Sequence, residues 1–316
     1  MDNLSTRRWI KDLTKRLYLR AYKGFLHCGW HVVPDHYYLP LPNILELKKT
    51  RHTWARRSEL PGISYDMCEF ERTLRRLCDP YRDEYADLSA WRQAMSSGAG
   101  PGYGYIESQC LHAVLRSLKP QQVIEVGSGV STAIILDALD RNDVAHQVTC
   151  IEPYPSSWLV HNKAVTLIRE PVQVLDIEIF KTLSRNDLLF IDSTHTVKPG
   201  SDVNYLMLEV LPRLNPGVIV HFHDIYLPYD YSRDVLDTFL HWQETSLLRA
   251  FLIDNSRARI LLSLSLMHYD RPDVLRQVFP AYVPEPDENG MRRGSAKAME
   301  SSIKEHFPCS TYIEVI

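Results

Sequence analysis

Two short runs in this chain of 316 residues hold the side chains best suited to chemistry. Asp192-Ser193-Thr194-His195 closes one apolar run, and His223-Asp224 closes another. Asp192, His223 and Asp224 offer oxygen and nitrogen donors for a divalent cation such as Mg²⁺ or Mn²⁺, with positions left open for substrate oxygens. His195, one short turn past Asp192, is of the type that serves as a general base near neutral pH. The plainer alternative is that the two acids cap loops and helices while the histidines bond locally.

A third run supplies a binding loop. Val123-Ile124-Glu125-Val126-Gly127-Ser128-Gly129-Val130-Ser131 leads from strand character into a Gly-Ser-Gly turn, and Thr132 to Leu139 continues as an apolar helix. Glycines there let the backbone turn sharply and approach a ligand closely, and the helix start leaves N–H groups unpaired. This is the strand–loop–helix unit of nucleotide-binding α/β folds. Thr132 fills the slot of the third glycine in the dinucleotide fingerprint, which argues against a pyrophosphate seat. The next strand, His146 to Ile151, runs into Glu152, roughly 20 residues past the glycines, the offset of a carboxylate that binds ribose hydroxyls.

The elements needed to position these groups follow from the alternation of pattern. Apolar strands at 123–126, 146–152, 165–168, 187–192 and 218–224 are separated by helical segments, among them 106–118, 132–139 and 203–214. Such alternation predicts a doubly wound, mainly parallel sheet of the α/β class, with ligands at the carboxyl ends of its strands. Glu125, Glu152, Asp192, His223 and Asp224 then converge on one crevice. Downstream, 233–244 and 244–252 read as helices, 258–267 as strand material for a sheet edge, and 310–316 as a last strand. Residues 284–296 are polar and turn-rich, the composition of a mobile excursion.

Residues 1–100 read as a helical appendage with an arm or lid, and 101–316 as the α/β domain. In the segment 5–23, Arg7, Arg8, Lys11, Lys15, Arg16, Arg20 and Lys23 face a lone acid, Asp12, while Trp9, Ile10, Leu13, Leu17 and Ala21 recur at helical spacing. Packing of that stripe on its own domain or on a second subunit is favoured over peripheral contact with an anionic membrane surface. A homo-oligomer is therefore left open. Prolines and aromatics between Val32 and Pro42 predict an extended arm. The glycine-rich 96–105 stretch predicts a hinge that ends in pocket-lining residues, Tyr103 among them.

Composition narrows the class. A net charge of −3 gives no global argument for nucleic acid. Six cysteines without a C-x-x-C pair fit a reduced compartment, and no run has signal-peptide or transmembrane character. The expectation is a cytoplasmic protein acting on a small molecule.

An acid two places before Gly-x-Gly resembles the first motif of class I S-adenosylmethionine-dependent methyltransferases. Phe190-Ile191-Asp192-Ser193-Thr194-His195, Gly200-Ser201-Asp202-Val203, the run Leu211 to Val218 and His221-Phe222-His223-Asp224-Ile225 sharpen the likeness. Over roughly residues 100–265 the chain is similar to the bacterial metal-assisted O-methyltransferases of macrolide sugars, and more distantly to catechol O-methyltransferase. The resemblance implies a seven-stranded Rossmann-like sheet, S-adenosylmethionine as cofactor, and methyl transfer to a small acceptor, foremost a hydroxyl. It implies cofactor contacts from Glu125, Gly127, Ser128, Gly129, Ser131, Glu152 and Tyr103, with Asp192 as metal ligand and His195 as base. The family's second acidic pair falls on His223 and Asp224, where its first member is Glu rather than His. Two alternatives stay open: a metal-free N- or C-methyltransferase using His195, His223 and Asp224, or a cofactor-binding scaffold without turnover.

Overall fold

Apolar runs punctuated by glycine, asparagine and proline become the strands and turns of the chain, as a computed structural model shows for residues 3–100, 102–293 and 305–316. The chain divides into two compact units, 1–50 and 51–316.

The smaller unit begins with α1 (Asn3–His27), whose side chains at 3–8, 10 and 11 lie outside the described residues. The proline-punctuated arm that follows forms no helix. It ends at Asn43, whose side-chain oxygen accepts from the N–H groups of Leu45 and Glu46 and so caps α2 (Ile44–Trp54).

In the larger unit, α3 (Met67–Cys78) starts where Asp66 accepts from the Cys68 N–H at 2.8 Å and buries Phe70, Leu74 and Leu77. It is followed by α4 (Arg82–Tyr85) and α5 (Ser89–Ser96), with a break where Leu88 takes a left-handed φ of 60°. These helices, grouped by sequence with the appendage, belong to the same compact unit as the sheet. Then come α6 (Tyr105–Leu118), β1 (Gln122–Val126), α7 (Val130–Asp140), β2 (Gln147–Ile151), α8 (Ser157–His161), β3 (Thr166–Ile168), β4 (Leu188–Ile191), α9 (Asp202–Tyr205) and β5 (Ile219–Phe222). The chain continues with α10 (Glu244–Leu252), β6 (Ala258–Ser263), α11 (Leu264–Asp270), α12 (Pro272–Val278), the short pair β7 (Asp287–Glu288) and β8 (Met291–Arg292), and β9 (Thr311–Val315).

Seven strands form one sheet in the order β3-β2-β1-β4-β5-β9-β6, parallel except for β9, which runs antiparallel to both neighbours. Register aligns the strand ends. Val126 pairs with both Ile151 and Ile191, and Ile191 pairs with Phe222. Gly127, Glu152, Asp192 and His223 therefore leave the sheet side by side.

Three local expectations fail. Residues 232–241 form turns instead of a helix, with Val235 and Asp237 bonded to carbonyls three residues back, because Arg233 is drawn into a buried cluster with Glu285 and Asp287. The strand expected to reach 267 stops at Ser263, whose hydroxyl caps α11. The turn-rich 284–293 stretch is ordered as the β7–β8 hairpin, with Asn289 and Gly290 both at positive φ as a tight hairpin requires. The Arg233 guanidinium anchors the hairpin through those acids and lies 4.3 Å from the Phe307 ring centre. The rest of that stretch, 294–296, lies outside the described residues. No helix among the described residues is long and apolar enough to cross a membrane.

Candidate active site

At the carboxyl ends of β1, β2 and β4 lies a cleft of about 370 Å³, a volume in the ordinary range for small-molecule sites. Gly127, Glu152 and Asp192 line it, with Tyr154, Gln173 and Lys198 on its walls. Gly127 is required by geometry: its φ is +85°, and a Cβ there would collide with the Asp192 carbonyl. Glu152 is half-buried, and one of its oxygens accepts from the Tyr154 N–H at 2.8 Å.

The other expected cofactor residues are placed differently. Glu125 is fully buried and turned into the loop–helix junction, where the hydroxyls of Ser131 and Thr132 each donate to it at 2.7 Å. Burial raises its pKa to about 7, although those hydroxyls and the Cys150 thiol pull it back. Thr132, in the third-glycine slot, also accepts from the Gly129 N–H at 3.1 Å. Glu125 and Ser131 therefore fasten the loop rather than line the cleft. Ser128 and Gly129 form the turn between β1 and α7. Tyr103 is buried beside the second site, its ring centre 5.1 Å from that of His223.

Next to the cleft, the expected metal and base residues do come together. Oδ1 of Asp192 lies 3.2 Å from Nε2 of His195 and 3.4 Å from Nδ1 of His223. Oδ2 of Asp224 lies 3.5 Å from each of the same two nitrogens. Asp192, His223 and Asp224 each bring one donor atom within 4.8 Å of the others, and Nε2 of His195 borders the two carboxylates. Asp192 belongs to both the cleft and this ring of donors. His195 and Asp224 sit at φ values of 57° and 55°. Left-handed backbone is uncommon for residues other than glycine and collects at functional sites.

Three groups that sequence reasoning missed surround the ring. Glu244, the first residue of α10, is 1% exposed and holds Nδ1 of His195 at 2.7 Å. The His195 carbonyl accepts from the Gln243 and Glu244 N–H groups, which ties the 192–195 turn to the start of α10. Glu107, in the first turn of α6, is also 1% exposed. It pairs with His306, accepts from the Cys309 N–H at 2.9 Å, and lies 3.6 Å from Nε2 of His223. The Cys309 thiol donates to Glu107 and to Asp224, and the Tyr226 hydroxyl donates to Asp224 at 3.0 Å. The one available clue was an acid in a helical segment, 105–115, that is otherwise uncharged apart from His112. Glu244 reads like any acid at a helix start.

Charge states follow from these contacts. Burial resists ionisation of Asp192, but His223 and His195 hold its carboxyl well below the usual range. Burial likewise disfavours protonated His195, yet Asp192, Glu244 and Asp224 outweigh it and push its pKa up to about 10. His223 is raised well above its ordinary value against the same burial penalty, by Cys309, Asp224 and Asp192. Glu107 is held well below the carboxylate range by His306 and His223 despite complete burial.

Residues 124–225, from β1 through β5 and on to Ile225, match the family model described as a methyltransferase domain. A curated relative from Archaeoglobus fulgidus, described as an uncharacterized protein, is 28% identical over 167 residues, which is 48% of this chain and 74% of its own length. Among solved structures, the SAH-bound Podospora anserina methyltransferase PaMTH1 is 16% identical, covers 63% of this chain and 92% of its own, and has a TM-score of 0.38. The O-methyltransferase TomG of Streptomyces achromogenes, involved in tomaymycin synthesis and solved with SAM, is 13% identical, covers 86% and 96%, and has a TM-score of 0.39. The matched segment holds the glycine loop, Glu152, Asp192 and His223-Asp224 in the order and strand positions described above. Residues 124–225 of the chain are therefore similar to a methyltransferase domain.

Proposed function

We propose that the protein transfers the methyl group of S-adenosylmethionine to a hydroxyl of a small molecule, with a divalent cation held by Asp192, His223 and Asp224. The observation that carries this reading is Asp192 itself, which borders the cleft and also belongs to the donor ring. A methyl donor in the cleft and an acceptor oxygen at the ring would meet across one residue. The cation, when bound, would lower the pKa of a coordinated hydroxyl.

The chain's own residues supply positioning. Glu152 is the carboxylate for the ribose hydroxyls. Gly127 keeps the loop clear of a side chain, and Glu125 fastens that loop to α7. The cation fits on the chemistry of the donors: two carboxylates share their space with Nδ1 of His223, which is buried without a hydrogen-bond partner. His195 faces carboxylates from both ring nitrogens and keeps its proton at neutral pH in the cation-free protein. A general-base role for it requires that proton to leave first, which loss of the Asp192 and Asp224 charges to a cation would favour.

The test is calorimetric titration with S-adenosylhomocysteine, paired with transfer of labelled methyl groups to a panel of hydroxylated small molecules with and without EDTA. Charge-assisted hydrogen bonds contribute about 1.5–3 kcal/mol each. Glu152→Ala should therefore weaken binding by at least tenfold, and wild-type affinity in the folded variant would overturn the cofactor site. Methyl transfer undiminished by EDTA would overturn the part given to the cation.

A further inference from the structure

We propose that His195 and His223 are both direct ligands of the cation, and that Glu244 and Glu107 are positioning residues that fix the two rings, so that the site takes a first-row transition ion in preference to Mg²⁺. This rests on the cation reading above, goes beyond it in naming the ligand set and the class of ion, and takes the general-base role from His195, because Nε2 bound to an ion has no lone pair left for a proton.

The geometry comes first. The four contacts around the ring, 3.2, 3.4, 3.5 and 3.5 Å, alternate strictly between carboxylate oxygen and imidazole nitrogen. Bonds of about 2.0–2.2 Å from one ion to oxygen and nitrogen donors set neighbouring donors about 3.0–3.5 Å apart. All four edges are of that size. The second observation concerns the His223 ring. His223 is 5% exposed, and its Nδ1 has no hydrogen-bond partner although it points between two carboxylates. A cation seated between those carboxylates would take up the lone pair of that nitrogen as its proton leaves.

The far side of each ring completes the argument. A histidine that binds a metal through one nitrogen commonly donates from the other to a carboxylate, which fixes tautomer and ring orientation. Nδ1 of His195 is 2.7 Å from Glu244, which leaves Nε2 to face the ring. Nε2 of His223 faces Glu107 and the Cys309 sulfur, each at 3.6 Å, which leaves Nδ1 to face it. Glu107 is in turn held by His306 and the Cys309 N–H. Each imidazole is thus backed by a carboxylate that is itself buried. Two nitrogens with two oxygens suit first-row transition ions, whereas Mg²⁺ prefers an all-oxygen shell.

The experiment uses the full chain, stripped of metal by chelation, with Co²⁺ as the probe. Visible absorption follows Co²⁺ binding, and calorimetry compares Co²⁺ with Mg²⁺. The expected result is ligand-field bands on Co²⁺ addition and at least 100-fold tighter binding than Mg²⁺. His195→Ala and His223→Ala should each weaken Co²⁺ binding and change the band pattern. Glu244→Gln should weaken binding about 10–100-fold while leaving S-adenosylhomocysteine affinity unchanged, which also reports that the variant is folded. Co²⁺ binding with an unchanged spectrum and affinity in His195→Ala would overturn the ligand role and leave the cation reading standing. Equal affinity for Mg²⁺ and Co²⁺ would overturn the ion class. Failure of the wild-type protein to bind either ion would overturn both this proposal and the cation reading beneath it.

Discussion

The carbonyl oxygen of Asp192 stands where a Cβ on Gly127 would have to go. The two residues leave neighbouring parallel strands at the same level, and the Asp192 N–H is bonded to the Val126 carbonyl at 2.9 Å, so neither can withdraw alone. Gly127→Ala therefore meets both a left-handed φ of +85° and a backbone obstacle. The conformational part alone costs about 1–2 kcal/mol. We expect a loss of at least that size in urea unfolding, together with weaker S-adenosylhomocysteine binding as β1 and β4 are pushed apart. An unchanged urea midpoint with unchanged affinity would contradict the crowding.

A second prediction concerns pH, away from the site. Glu84 on α4 accepts from Nε and Nη2 of Arg116 on α6 at 2.7 and 3.0 Å, and from His112 at 2.9 Å. These bonds, Arg116 foremost and against the burial penalty, hold its carboxyl below the ordinary value. A depressed carboxylate pKa adds stability that is present above the unfolded value, about 4.3, and is lost as pH falls through the folded one. Glu84→Gln should be less stable than wild type at pH 7, with the gap closing once the pH drops below about 4. Denaturant unfolding at stepped pH measures it, and a gap that stayed constant into acid would show that the charge contributes nothing.

A third prediction uses the division of the chain. Every residue lining the cleft and every donor of the ring lies within 51–316. Removal of residues 1–50 should leave S-adenosylhomocysteine affinity within about twofold, below the roughly 1.4 kcal/mol that a tenfold change represents. Turnover on an acceptor should fall sharply if the arm is the lid that its prolines and aromatics suggest. Full turnover in the truncated protein would retire the lid.

Much of the sheet was legible because its strands are apolar runs that end in chemistry. The alternation of pattern pointed to a mainly parallel sheet without its strand order, and the acids after β2, β4 and β5 marked the crevice. What the sequence hid lies in long-range pairing. Glu107 and Cys309 are more than two hundred positions apart yet share a hydrogen bond, and no local pattern announces that. Glu125 illustrates the opposite failure. Its position in the motif suggested the cofactor, but a carboxylate on a buried strand next to two hydroxyls is better satisfied by them than by a cleft. The missing helix at 233–244 has the same cause, since helical propensity gave way to the buried ion pairs of Arg233.

The place of β9 has a consequence for how the molecule assembles. It lies between β5 and β6 and is translated after both, so those two strands must hold apart a gap one strand wide until it arrives. During that interval each presents an unpaired edge, free to zip onto the other or onto a neighbouring chain. Closing the gap joins segments far apart in sequence, the kind of step that slows folding. Cys309 and His306 travel just ahead of β9, so the wall behind His223 is built in the same late event. A nascent or partly unfolded molecule would already possess its glycine loop and the Glu152 strand, and still lack a finished catalytic pocket.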